Sequence, residues 1–379
     1  MNAGARILTT HTGSLPRPPE LLALLLERQA GGAVDEARFT ELVEQATGDA
    51  VARQREAGFD LVNDGEAGKI SYATYVRDRL DGFSAGGRGR PMADLQEFPA
   101  YANRLATRSP LRSALMSMAC VGPVRPRDTQ AVQRDIETLR RSVERAGAGP
   151  QGVFMTAASP GVITRFFENQ HYAGEEEYLW AVAEAMRPEY RAIVDAGFLL
   201  QVDCPDLASA RNTVYAGRPL EDFRHAAAGQ VEALNWALEG LPPERMRIHV
   251  CWGNYPGPHH LDVELRDIVD ILLRAAPLGL SVEASNPRHA HEWAVFETVP
   301  VPADKVLLPG VVDSTCNYVE HPDLIAQRLA RYVGLLGPER VIASTDCGFA
   351  TFAGVENVDP GIAWAKLEAL VEGARRVAR

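Results

Sequence analysis

Short apolar runs alternate along the chain with longer stretches whose apolar residues recur at helical spacing. Residues 6–10, 59–62, 152–156, 198–202, 247–250, 278–282, 305–311 and 340–343 read as strands, each ending in a polar cluster. Residues 38–56, 176–196, 220–239, 263–276, 322–336 and 361–377 read as amphipathic helices between them. Strand–helix alternation sustained eight times implies parallel pairing, and eight units predict a closed (β/α)₈ TIM barrel. An open doubly wound sheet is the structural alternative. Residues 81–150 break the rhythm and read as an insertion after the second strand, a short hairpin around the run 115–121 and a helix over 128–146. A separate small domain is the other reading of that stretch. The chain up to about residue 35 reads as an entry loop and a Leu-rich helix, so that residues 1–379 form one barrel domain.

Composition narrows the class. The 379 residues are 46% hydrophobic and 23% charged, which suits a globular protein and excludes disordered, collagen-like and disulfide-scaffold chains. With 50 acidic against 39 basic side chains the formal charge is −11, which argues against a nucleic-acid partner. The apolar runs fall short of the ~20 residues that a membrane span needs. Residues 1–8 lack a signal-peptide core. Five scattered cysteines are no disulfide framework and predict a thiol-reducing, cytoplasmic setting.

Candidate chemistry concentrates where the predicted strands end, which in a barrel is the catalytic face. Those ends carry Thr12 and Ser14, Asp64 and Glu66, Asp203, His249 and Cys251, Glu283, Asp313 and Thr315, and Cys347. Residues two apart on a strand face the same side, so His249 and Cys251 can grip one ion together. With Glu283 and Cys347 from neighbouring strand ends, they make an N/O/S set suited to tetrahedral Zn²⁺. The bland alternative is four rim residues that happen to align. A site holding two thiolates and a carboxylate suits the binding of an exogenous thiol as a thiolate nucleophile, hence S-alkylation. Hydrolytic water activation is the competing use. Glu66 and Asp203 could fix an ammonium group, and the segment from Thr12 to Ser14 a carboxylate, together clamping an α-amino acid. Either acid could instead be a solvated loop charge, and Glu66 could cap a helix beginning near Ile70. Cys120, Cys204 and Cys316 read mainly as packing residues.

These stretches resemble the catalytic C-terminal half of cobalamin-independent methionine synthase, in the superfamily that also holds uroporphyrinogen decarboxylases. The resemblance rests on residues 8–16, Asp64 to Glu66, Gln201 to Asp203, His249 to Cys251, Val282 to Ser285, Gly310 to Asp313 and Asp346 to Gly348. It runs in the family's order to about residue 352 and matches the short single-barrel form. It implies zinc on His249, Cys251, Glu283 and Cys347, the homocysteine amino group on Glu66 and Asp203, and its carboxylate near Thr12 and Ser14. The reaction it implies is methyl transfer from methyltetrahydrofolate to homocysteine, part of methionine biosynthesis. Two positions depart from the family. Thr315 stands where a histidine donates a proton to the leaving amine, two residues after Asp313, and neither His11 nor His321 aligns there. The loop after Thr156 lacks the aromatic that stacks on the pterin. A methyl or alkyl donor other than folate is therefore the sharper expectation. The alternatives are a thiol alkyltransferase of the epoxide–thiol type, a C–S lyase, a metal-free decarboxylase, or a zinc- or thiol-binding protein without catalysis. Oligomeric state is not legible in the sequence.

Overall fold

A computed structural model describes residues 6–108, 117–147 and 152–377. Its strands, in chain order, are β1 (Leu8–Thr9), β2 (Leu80–Ala85), β3 (Met118–Pro126), β4 (Phe154–Ala158), β5 (Phe167–Asn169), β6 (Leu199–Asp203), β7 (Met246–Val250), β8 (Gly279–Glu283), β9 (Val306–Gly310) and β10 (Ile342–Ala343). The architecture is α/β. Strands β4, β6, β7, β8 and β9 form one parallel sheet in that order, and β1 pairs in parallel with β10. Isolated parallel bridges tie Leu307 to Val341, Gly310 to Ser344 and Val62 to Val153. The carbonyl of Thr9 accepts from the backbone N–H groups of Asp60 and Leu61, at 3.2 and 3.1 Å.

The strand expected at 59–62 is thus reduced to a bridge at Val62. The cause lies just downstream, where Asn63 and Asp64 side chains accept from the N–H groups of Gly65 and Glu66 at 2.9 and 3.0 Å. Asx turns of this kind offer the backbone an alternative to the ladder. The helix expected at 263–276 also shortens, to a 3₁₀ turn at Leu265–Asp267 and a single turn at Val269–Leu272. Leu265, Ile268, Val269, Ile271 and Leu272 are buried while Arg266 and Asp270 are exposed, so the segment keeps an apolar and a polar side, and the helix is broken at Ile268, which leaves helical geometry at φ −129°. The other helices lie close to their sequence patterns. Glu36–Ala57 starts at the Asp35 cap, whose carboxylate accepts from Ala37 and Arg38, and stops at Gly58 in the left-handed conformation. Pro322–Leu336 and Pro360–Val377 pack against each other.

In place of a short hairpin, β2 and β3 pair antiparallel across a long connection that holds helices Ala93–Gln96 and Pro99–Arg108, with the register broken where residues 121–124 of β3 lie opposite Gly82, and β5 joins β3 in parallel. Residues 115 and 116 of the predicted run lie outside the described residues. Helix Gln130–Arg145 follows β3 and packs on Glu36–Ala57. Among the described residues no helix is long and apolar enough to cross a membrane.

Strand register positions the polar side chains. Asp203 pairs with His249 and His249 with Ser281, while Glu283 lies opposite Gly310. With the two-residue period of a strand, Gln201 and Asp203, Arg247 and His249, and Ser281 and Glu283 share one face of the sheet. The bodies of these strands are buried throughout, so polar groups here must find partners among themselves.

Candidate active site

A cavity opens at the C-terminal ends of the parallel strands. Seven of the eleven residues singled out from the sequence line it, Thr12, Ser14, Glu66, Asp203, His249, Cys251 and Cys347, and Asp64 lines neither this cavity nor its neighbour. Glu283, Asp313 and Thr315 line a smaller neighbouring pocket. The two spaces share Cys347, Gly253 and Asn254.

His249, Cys251 and Cys347 are buried, and their ligating atoms lie within 4.8 Å of one another, an arrangement that can hold a metal ion. Cys251 Sγ is 3.8 Å from Cys347 Sγ. Nδ1 of His249 lies 3.2 Å from Ser281 Oγ, while its buried Nε2 has no hydrogen-bond partner. Burial, aided by the charge of Arg247, holds the His249 pKa down at about 3, so the ring is neutral and its Nε2 lone pair is available. The Cys251 thiol is pushed well up, first by its hydrogen bond with Cys347, then by burial and the charges of Cys347 and Glu283. A cation among these groups would relieve that repulsion. Glu283 stands slightly apart. Its oxygens accept from the Trp252 N–H at 2.8 Å and the Asn286 amide at 3.1 Å.

Glu66 and Asp203 face each other across the cavity, each held by its own neighbours. Thr156 donates to Glu66 Oε1 at 2.9 Å, and Gln201 donates to Asp203 Oδ1 at 2.8 Å. Glu66 Oε2 is buried without a partner. Burial raises both carboxyls; each also repels a neighbouring acid, Asp203 feeling Glu66 and Glu66 feeling Asp64, while Lys69 pulls the other way on both. No helix begins at Ile70, so Glu66 is not a cap; it takes a left-handed φ of 55° that turns its side chain into the cavity. Thr12 is already engaged: its N–H donates to Thr345 Oγ1 at 3.1 Å and its hydroxyl to the Thr345 carbonyl at 2.9 Å. Ser14 Oγ accepts the Ala350 N–H at 3.3 Å, which leaves its own proton to donate.

Asp313 organises a turn, accepting from the Thr315 N–H and hydroxyl at 2.5 and 2.8 Å and from the Cys316 N–H at 3.1 Å. His11 is buried against Phe59 and Phe154 and bonded to Gln54, and His321 is an exposed helix cap, so neither reaches this pocket. Two features escaped the sequence reading. Arg165 lines the main cavity, donating to Ser209 at 2.6 Å. Tyr72, Phe166 and Phe352 form an aromatic wall there, although the loop directly after Thr156 has none. The Ser159 cap that starts Arg165's helix, bonded to Val162 N–H at 2.9 Å, was the only local signal.

Gly348 packs so closely that an added Cβ would overlap Ser14 Oγ and lie 3.0 Å from Ser14 N. Gly348→Ala should therefore displace the 12–14 segment from the Cys347 loop and weaken binding of an amino-acid thiol at least tenfold, measured by calorimetric titration. Unchanged affinity would mean that Ser14 does not contact the ligand.

No family model matches the chain. Among curated proteins it is similar to the methionine synthase of Thermococcus kodakarensis, at 24% identity over 372 residues, covering 98% of this chain and 93% of the relative. The methionine synthase of Saccharolobus solfataricus is likewise 24% identical, covering 97% of this chain and 94% of its own length. Among solved structures, a B12-independent methionine synthase from Shewanella sp. W3-18-1 in complex with selenomethionine aligns with TM-score 0.74 at 19% identity, covering 98% of both chains. A putative vitamin-B12 independent methionine synthase from Listeria monocytogenes aligns with TM-score 0.66 at 18% identity and the same coverage. The resemblance to methionine synthases thus spans nearly the whole chain, and the fold is theirs.

Proposed function

We propose that this chain, similar along its length to methionine synthases, is a zinc-dependent methyltransferase that methylates a thiol, homocysteine, to give methionine. The observation that carries the reading is the His249–Cys251–Cys347 cluster opening into a cavity that also presents Glu66 and Asp203. The donor set fits zinc: two sulfurs at ~2.3 Å from a tetrahedral ion sit about 3.8 Å apart. Cys251 and Cys347 have that 3.8 Å separation. His249 Nε2 would supply the nitrogen, and Glu283, whose oxygens accept from Trp252 and Asn286, would be the further ligand. Zinc bound there lowers the pKa of a substrate thiol and keeps it as a nucleophilic thiolate. Glu66 and Asp203 take the substrate ammonium, whose charge relieves the repulsion between two buried carboxyls. Ser14 and the backbone beside Thr12 take the carboxylate. That the Shewanella protein was obtained with selenomethionine, the selenoether analogue of methionine, supports a product of this shape. We take the parallel contacts around the sheet as a closed (β/α)₈ barrel forming one domain over residues 1–379, with an insertion at about 81–150.

The donor enters on the Asp313 side. Thr315 there is bonded to Asp313 and can relay no proton as an imidazole would, and a tertiary amine is a poor leaving group. Loss of a general acid costs about 10²–10⁴ in rate. We therefore expect slow methionine formation from methyltetrahydrofolate and faster formation from a donor whose leaving group needs no proton, such as methylcobalamin. Zinc-loaded protein incubated with homocysteine and each donor, with methionine quantified by mass spectrometry, decides this. No methionine from any donor would remove the proposal, and rapid folate turnover would remove the role given to Thr315.

A further inference from the structure

A second set of ligating side chains, unused by the proposed reaction, lies buried behind the first. His259, Asp262 and His289 offer atoms that all fall within 4.8 Å of one another. His259 and Asp262 come from the loop after β7 and His289 from the loop after β8. His259 is held at φ 55°, and Glu66 is the only other non-glycine residue with positive φ among the described residues. That conformation costs about 1–2 kcal/mol. It is secured by Asp94, whose Oδ2 accepts the His259 N–H at 3.0 Å and the Tyr255 hydroxyl.

The outward ring nitrogens fix the tautomers. His259 Nε2 lies 3.1 Å from the Tyr255 carbonyl oxygen, which can only accept, so Nε2 carries the proton. His289 Nδ1 lies 2.8 Å from Glu292 Oε2 and is protonated for the same reason. The inward atoms, His259 Nδ1 and His289 Nε2, then face Asp262 Oδ2 at 2.7 and 3.2 Å. A carboxylate oxygen meeting two lone pairs needs positive charge between them. Extra protons on both rings would also supply it: burial lowers both imidazoles, but hydrogen bonds to Asp262, and for His289 also to Glu292, outweigh it and raise both, His289 to about 10, at the cost of burying two imidazoliums beside two carboxylates. One divalent cation supplies it with both rings neutral. Rings whose far N–H is fixed by a carbonyl or carboxylate are the usual environment of metal-bound histidine. The supporting layer is complete: Glu292 Oε1 accepts the Leu265 N–H at 2.6 Å, and the Asn212 amide lies 3.4 Å from Asp262 Oδ1.

We propose that His259 Nδ1, Asp262 Oδ2 and His289 Nε2 bind a second divalent first-row transition ion, zinc or its cobalt(II) surrogate, at a structural site distinct from the thiolate cluster. An N₂O donor set suits these ions. The Trp252 ring packs against His289 at 4.3 Å between centroids with a 31° tilt, and Trp252 follows Cys251 directly, so the ion would brace the loop that carries Cys251. The site does not depend on the methyl-transfer reading.

Chelator-stripped protein titrated with cobalt(II) should take up two ions per chain. Thiolate-to-cobalt charge-transfer absorption should saturate after one equivalent, with the other adding only ligand-field intensity. A Cys251→Ser, Cys347→Ser double variant should keep one ion by elemental analysis and lose it when Asp262→Asn is added. Saturation at a single ion carrying the full charge-transfer band overturns the proposal, as does a folded double variant that holds none. A single ion without charge transfer leaves the second site standing and removes the thiolate site instead.

Discussion

Replacing Cys347 by serine should abolish thiol methylation, lowering kcat/KM by at least ~10³. A catalytic metal contributes several kcal/mol, and each 1.36 kcal/mol is tenfold in rate. Serine is nearly isosteric but a poor ligand for a soft-tolerant ion. Cys347 also lines both the main cavity and the pocket holding Asp313 and Thr315, so its loss strikes where the two reactants would meet. Cys204→Ser is the matched control. Cys204 is fully buried in the same sheet region but donates to the Val202 carbonyl and lines neither space. Its variant should keep activity within tenfold and keep the thiolate-bound ion. Equal losses in the two variants would show that the cavity senses packing rather than the metal.

Lys366→Met should destabilise the protein by about 3–5 kcal/mol, because removing one partner of a buried ion pair leaves the other charge uncompensated. Lys366 is 0% exposed and its Nζ lies 2.8 Å from Glu320 Oε2. It also donates to the Tyr318 carbonyl. The other oxygen of Glu320 accepts the Asp313 N–H at 2.9 Å, so the pair anchors the turn that presents Thr315. Urea denaturation should show the loss, and the Lys366→Met, Glu320→Leu double variant should recover much of it. A single-variant cost below about 1 kcal/mol would mean that the neighbouring chain or water re-solvates Glu320.

The proximity of His249, Cys251 and Cys347 was legible because strand periodicity is rigid: His249 and Cys251, two residues apart, share a face, and a polar residue ending an apolar run has only the mouth to occupy. Glu283 was placed at the right strand end. Its side-chain direction was not legible, because the Trp252 N–H that draws it comes from the loop after the neighbouring strand β7. Arg165 was invisible for a similar reason, its direction being set by Ser209 and Thr213 more than forty residues away. His259, Asp262 and His289 sit on loops, where no period links sequence spacing to facing. The shortened strand at 59–62 has a local cause that sequence rules contain but apolar runs mask, the Asx turns at Asn63 and Asp64.

The clasp between Thr12 and Thr345, and between Ser14 and Phe349, joins segments 333 to 335 positions apart. During synthesis the early half of this clasp waits for nearly the whole chain before its partner leaves the ribosome. Long-range closure of this kind is entropically costly and slow. Until it happens, Ser14 and Cys347 share no space and there is nothing for an amino-acid thiol to enter. Ligand occupancy thus reports completed folding, and a nascent chain halted before residue 345 would carry most of the sheet with no substrate-binding competence.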